Sequence, residues 1–322
     1  MSNKLFEPLK AGAFELQNRV IYSPLTRCRA EAGRVPGQIM AEYYRQRVGA
    51  GLLIAEATAV SPMGVGYPDT PGIWSEEQVE GWKLVTKAVH EAGGTIVLQL
   101  WHVGRVSDPY YLDGQLPVAP SPIALSGHVH LLRPKRDFVV PRALELSEIP
   151  AVIESYRLGA VNAKRAGFDG VEVHGANGYL LNQFLNPGSN QRTDEYGGSV
   201  ENRARLMIEV VDAAISVWGS DRVGLHISPG DREHNMLSGD NTADYVYLMR
   251  EMSKRNIAFV CSRETQAKDA WIGDKLRQAF NGTYIANEEL SFELAVETLQ
   301  KGRADAVAFG RAFIANPDLP ER

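Results

Sequence analysis

Eight short apolar, β-branched runs recur along the chain, each followed by a longer amphipathic stretch, and this alternation constrains the fold more than any other feature. The runs cover residues 19–25, 52–58, 95–101, 170–175, 223–229, 258–264, 283–288 and 306–311. Near-continuous apolar character, rather than strict alternation, suits parallel strands buried on both faces. Eight strand–helix units in 322 residues predict an α/β fold, a closed (β/α)₈ barrel rather than two open sheets.

The helices are expected at 38–49, from a capping box at Ser75-Glu76-Glu77-Gln78 to Gly93-Gly94, from Ser147 onward, and at 199–217, 242–255, 269–280 and 291–301. Strand starts are separated by 33, 43, 75, 53, 35, 25 and 23 residues. The long step holds an insertion after the third strand, residues 103–146, rich in Pro, Gly and His; loops of this size in compact domains are usually functional. It is expected to cap the top of the barrel, and residues 1–18 to form a hairpin that plugs the bottom. The whole chain, 1–322, then reads as one domain. Little more than a turn or two of an eighth helix fits between Arg311 and Arg322, so the chain is expected to be shorter than its natural form.

Composition removes several classes of function. A formal net charge of −5 gives no electrostatic footprint for nucleic acid or an anionic membrane. No run approaches the roughly 18 apolar residues a membrane span needs, and Lys4, Glu7 and Lys10 interrupt any signal-peptide core, so a cytoplasmic protein is expected. Two cysteines, Cys28 and Cys261, exclude a disulfide scaffold and a cysteine-held iron–sulfur cluster.

In (β/α)₈ barrels chemistry sits at the C-terminal ends of the strands. Those ends carry Pro24-Leu25-Thr26, Glu56-Ala57-Thr58, Gln99-Leu100-Trp101-His102, His174-Gly-Ala-Asn177, His226, Ser262-Arg263-Glu264, Asn287-Glu288 and Gly310-Arg311. Hydrogen-bonding groups with little net charge suit a large polar, partly aromatic ligand more than a hydrolytic metal centre. His174-Gly-Ala-Asn177-Gly-Tyr179 is the densest group. Two neutral donors at a carbonyl oxygen stabilise developing enolate charge. A phenol, protonated at neutral pH, can deliver a proton. The plain alternative is a satisfied histidine beside a packing tyrosine. Gly64-Val65-Gly66 does not lead from a strand into a helix, so it is no dinucleotide fingerprint. His128 and His130 read as an exposed hairpin of the insertion rather than a metal pair, and Cys28 as a small buried hydrophobe.

The runs NRV…SPLTR (18–27), AEYYRQR (41–47), QLWHVGR (99–105), AGFDGVEVHGANGYLLNQFL (166–185), N-x-RTDEYGGSVENRARL (190–206) and DAVAFGRAFIANPDLPER (305–322) resemble the old yellow enzyme family, of the N-ethylmaleimide reductase-like kind. The resemblance spans essentially the whole chain. It implies a (β/α)₈ barrel holding non-covalent FMN, with NAD(P)H as hydride donor and NADP as its expected oxidised form. The implied activity is reduction of the activated C=C bond of α,β-unsaturated carbonyl or nitro compounds. It also implies phenolic ligands, and a monomer or weak homo-oligomer is expected.

Position by position, the resemblance places Pro24, Leu25 and Thr26 against the flavin ring, and Ala57 and Gln99 at its pyrimidine edge. Trp101 shapes the substrate pocket, His174 and Asn177 bind the substrate oxygen, and Tyr179 is the proton donor. Asn287, Gly310 and Arg311 lie at the phosphate end. Two positions depart from the family pattern. His226 stands where an Arg faces flavin N1 and O2, and an imidazole is charged at pH 7 only if its pKa is raised. Asn287-Glu288-Glu289 replaces a Gly-Gly-type turn, with both acids expected to face solvent. A second reading follows from these departures and the short C-terminus: an FMN- or phenol-binding barrel with impaired turnover. A third, a dienoyl-CoA reductase with a cluster, is opposed by the cysteine count.

Overall fold

The computed structural model describes residues 4–230, 234, 240–264 and 271–322. A short antiparallel hairpin, β1 (Leu9–Ala11) and β2 (Phe14–Leu16), precedes the barrel. The first barrel strand and helix are β3 (Val20–Tyr22) and α1 (Gln38–Arg45), then β4 (Leu52–Ala59), α2 (Glu76–Glu91) and β5 (Ile96–Trp101). The insertion contributes β6 (Val118–Ala119) and β7 (Arg142–Ala143), paired with each other. The chain continues through α3 (Ile149–Arg165), β8 (Gly170–His174), α4 (Leu180–Leu185), α5 (Val200–Trp218), β9 (Val223–Ile227) and α6 (Thr242–Arg255). It ends with β10 (Phe259–Arg263), α7 (Gly273–Ala279), β11 (Thr283–Asn287), α8 (Phe292–Gln300), β12 (Ala306–Phe309) and α9 (Arg311–Ala315).

The eight long-range strands close in the order β10-β11-β12-β3-β4-β5-β8-β9, every pair parallel. The expected barrel is therefore the observed fold, and each of the eight apolar runs supplies one strand. The strands are buried on both faces, as their unbroken apolar character requires. Phe14 of the hairpin packs on Phe259 with ring centroids 6.4 Å apart and joins Ile21, Leu52, Ile54 and Val97, so the hairpin stops the lower end of the barrel. The Ser75 box caps α2, with the Gln78 amide donating to Ser75 Oγ at 3.3 Å and the Gln78 side chain accepting from the Ser75 amide at 3.1 Å.

Helix α4 has no counterpart among the expected helices, because all six of its residues are buried and no polar face gives it a helical period. The expected helix at 269–280 is observed from Gly273; its first two positions lie outside the described residues. No described helix is long and apolar enough to cross a membrane.

Candidate active site

At the C-terminal ends of the barrel strands lies a cavity of about 360 Å³, within the range of small-molecule and cofactor sites. Its lining includes Pro24, Leu25, Thr26, Ala57, Gln99, His174, Asn177, Tyr179, His226, Asn287, Gly310 and Arg311. Every one of these was singled out from the sequence. Trp101 is fully buried behind the lining, its ring 5.0 Å from that of Tyr179 and 6.3 Å from that of His174.

The turn after β8 makes the wall that carries His174, Asn177 and Tyr179. Asn177 and Gly178 both have left-handed backbones, with φ of 56° and 72°, and these two successive residues reverse the chain within one turn. The Asn177 amide donates to Ser228 Oγ at 2.7 Å, and its carbonyl lies 2.6 Å from His234 Nδ1. His174 ends β8 at 4% exposure, its Nδ1 accepting the Ala176 amide at 3.3 Å. Burial, then His226 and Arg263, push its pKa well below the ordinary histidine value, so it is neutral. A neutral imidazole whose Nδ1 accepts carries its proton on Nε2 and can donate from there.

Tyr179 is nearly buried, and its hydroxyl lies 2.9 Å from that of Tyr67. Tyr67 stacks on His130 with centroids 5.5 Å apart and planes 4° from parallel, and His130 Nε2 lies 3.1 Å from His234 Nε2. His128 instead pairs with Asp137 at 2.7 Å, so the two imidazoles of the insertion serve different partners. Leu125 and Phe138 of the insertion pack with Trp101, Val103 and Tyr179, placing this segment over the aromatic wall. The nearby Gly66 is a packing glycine, since a Cβ there would stand 2.1 Å from the Val106 carbonyl oxygen.

Below the cavity floor a buried charge cluster holds His226. Its Nδ1 stands 3.4 Å from Glu172 Oε1, close enough for an ion pair though off hydrogen-bond geometry. The other carboxylate oxygen accepts from Gln99 Nε2 at 2.6 Å, and Cys261 completes the cluster. Burial acts to lower the His226 pKa, but Cys261 and the Glu172 carboxylate outweigh it and hold the value up, to about 10. Burial raises the Cys261 thiol, while His226 beside it acts to lower it. The cluster therefore favours the imidazolium form of His226, at the position where the family pattern has an arginine.

The turn after β11 has the left-handed backbone that glycine favours. Glu288 and Glu289 have φ of 95° and 50°, conformations that non-glycine residues adopt at a cost of roughly 1–3 kcal/mol each. Both acids line the cavity, which corrects the expectation that they face solvent alone: Glu289 is exposed at its rim, and Glu288 Oε2 accepts from Arg263 Nε at 2.6 Å. Asn287 is buried and donates to Ser23 Oγ at 2.9 Å.

Sequence reasoning assigned no role to Tyr67, Ser23 or Arg263. Arg263 stood in view at a strand end, whereas Tyr67 sits in a loop with no periodic signal.

The residues fit a flavin mononucleotide. Proline, leucine and alanine side chains offer apolar contact to a flat ring. Gln99, with Oε1 and one Nε2 hydrogen outside its bond to Glu172, suits an edge of alternating donors and acceptors. His226 and Arg311 supply positive charge for an electron-rich ring and a phosphate.

The sequence profile of the NADH:flavin oxidoreductase / NADH oxidase family matches residues 4–322. The chain is 43% identical over 336 residues to 12-oxophytodienoate reductase 2 of Arabidopsis thaliana, covering 99% of this chain and 87% of that one. It is similar in structure to morphinone reductase in complex with tetrahydroNAD, at 48% identity and a TM-score of 0.95 over 99% of this chain and 89% of that one. An old yellow enzyme homologue from Zymomonas mobilis superposes with a TM-score of 0.96 at 43% identity, over 99% of this chain and 91% of that one.

Proposed function

This chain belongs to the NADH:flavin oxidoreductase / NADH oxidase family, and from that premise we propose that its barrel-top cavity reduces α,β-unsaturated carbonyl or nitro compounds. FMN held by the ring- and phosphate-facing residues of that cavity would supply the hydride chemistry that links NAD(P)H to the β-carbon of the acceptor. The reading is carried by one observation: His174, Asn177 and Tyr179 share a cavity with Thr26, Gln99, His226 and Arg311, so oxygen-binding and ring-binding groups face one space.

His174 and Asn177 donate to the substrate oxygen and stabilise the charge that builds on it as the β-carbon is reduced. Neutral donors serve here without binding an anion permanently. Tyr179 gives its hydroxyl proton to the α-carbon, and Tyr67, 2.9 Å away, donates to the phenolate left behind. Trp101 and the 103–146 segment exclude water from this wall as the cap of a single domain. Thr26, Ala57 and Gln99 hold the ring edge, Pro24 and Leu25 one face, and Asn287, Gly310 and Arg311 the phosphate end. NADP(H) use, a cytoplasmic location and a monomeric or weakly self-associating state complete the reading.

The alternative of impaired turnover loses its two residue-level motives. Cys261 and Glu172 favour a protonated His226, and the Glu288 carboxylate is taken up by Arg263.

The test is binding of p-hydroxybenzaldehyde to the flavin-loaded protein. As a phenolate on His174 and Asn177 it produces a long-wavelength charge-transfer band, and the double variant His174→Ala/Asn177→Ala loses it. A band that persists in that variant removes the oxygen-binding role.

A further inference from the structure

Glu288, Arg263 and Asn177 form a hydrogen-bonded chain that joins the ends of β11, β10 and β8. Arg263 Nε lies 2.6 Å from Glu288 Oε2, and Arg263 Nη1 donates to Asn177 Oδ1 at 2.9 Å. All three residues line the cavity.

The Asn177 backbone is already pinned: its amide on Ser228, its carbonyl beside His234, its φ left-handed. What remains open is which end of the side-chain amide faces the substrate. An amide can present either a donor or an acceptor, and an acceptor there would repel a carbonyl, nitro or phenolate oxygen. A guanidinium has donors only, so the end of the amide that meets it is Oδ1. With Oδ1 on Arg263, Nδ2 is the amide atom left to the cavity. Glu288 in turn holds the guanidinium by Nε, so the carboxylate in the strained turn has a use: it fixes the group that fixes Asn177.

We propose that Arg263 is a positioning residue, which locks Asn177 as a donor toward the oxygen of the ligand. The proposal rests on the oxygen-binding reading of Asn177 given above. Its test is a double-mutant cycle in the flavin-loaded protein, with p-hydroxybenzaldehyde as ligand and dissociation constants from calorimetry and from the charge-transfer band. Arg263→Met is expected to weaken binding roughly 10-fold when Asn177 is present, the scale of a lost charge-assisted hydrogen bond. In an Asn177→Ala background the same change is expected to cost less than about twofold, because its effect runs through that amide. Arg263→Lys, which retains a donor, should recover part of the loss. Arg263→Met/Glu288→Gln, which leaves no stranded carboxylate, should bind as weakly as Arg263→Met.

Equal losses in both Asn177 backgrounds would overturn the inference and leave the proposed function standing. Recovery of binding in Arg263→Met/Glu288→Gln would also overturn it, by assigning the loss to the bare Glu288 charge. A wild-type protein that binds FMN but no phenol would overturn the oxygen-site reading, and this inference with it.

Discussion

Replacing Glu172 by Gln removes the carboxylate beside His226 while keeping the shape of the side chain and a partner for Gln99. Both groups are buried, and their facing atoms are 3.4 Å apart. At an effective dielectric constant of about 20, unit charges at that distance interact by about 5 kcal/mol. At ~1.4 kcal/mol per pH unit, this corresponds to a pKa change of ~3–4 units. The His226 pKa, held up to about 10 by Cys261 and Glu172 together, should therefore fall toward neutrality in Glu172→Gln, with Cys261 left as the remaining partner. Two assays read this. Nitrogen-15 resonances of His226, followed from pH 5.5 to 9, should stay in the imidazolium range in the wild type and titrate in the variant. In spectroelectrochemical titrations the flavin midpoint potential should show no His226 inflection between pH 5.5 and 8.5 in the wild type. Glu172→Gln should show one, with a lower potential on its alkaline side. Superimposable wild-type and variant curves would refute the claim that Glu172 keeps His226 charged. A wild-type inflection near pH 7 would refute the permanent charge itself.

Tyr179→Phe should slow flavin reoxidation by enones by roughly 10²–10⁴-fold while leaving reduction by NAD(P)H nearly intact; stopped-flow traces with equal slowing of both halves would give Tyr179 another role. Glu289→Gly should stabilise the fold by about 1 kcal/mol, because the residue is exposed and its φ is 50°; a lower urea midpoint would show that the side chain matters more than the strain. Burial raises the Glu56 pKa from its ordinary 4.5 to about 7. Its folded-state pKa exceeds the unfolded one, so its contribution to stability is full below pH 4.5 and lost as pH rises through 7, about 3 kcal/mol in all. Urea unfolding of Glu56→Gln should show a flatter stability profile between pH 4.5 and 7, and an unchanged slope would count against a buried, titrating Glu56.

The barrel was legible because each parallel strand must be apolar on both faces, and this leaves an unbroken hydrophobic run that few other elements produce. The cavity lining was legible for a related reason: in this fold the end of each such run is where side chains converge. The electrostatics were not. Whether His226 carries a proton depends on Glu172, which lies 54 positions away in the chain and becomes its neighbour only through the pairing of β8 with β9. The direction of Glu288 was hidden likewise, since its partner Arg263 lies on the adjacent strand β10. Helix α4 escaped notice because a fully buried segment has no amphipathic period, and Tyr67 because a loop residue has none.

The central claim is that this cavity moves a hydride from NAD(P)H through FMN to an activated C=C bond. The most direct measurement is the visible spectrum of the flavin-loaded protein, mixed anaerobically first with NADPH and then with cyclohexenone. Bleaching of the flavin band followed by its recovery, with one cyclohexanone formed per flavin reoxidised, is the predicted result. A flavin that bleaches and stays bleached in the presence of the enone would contradict the account.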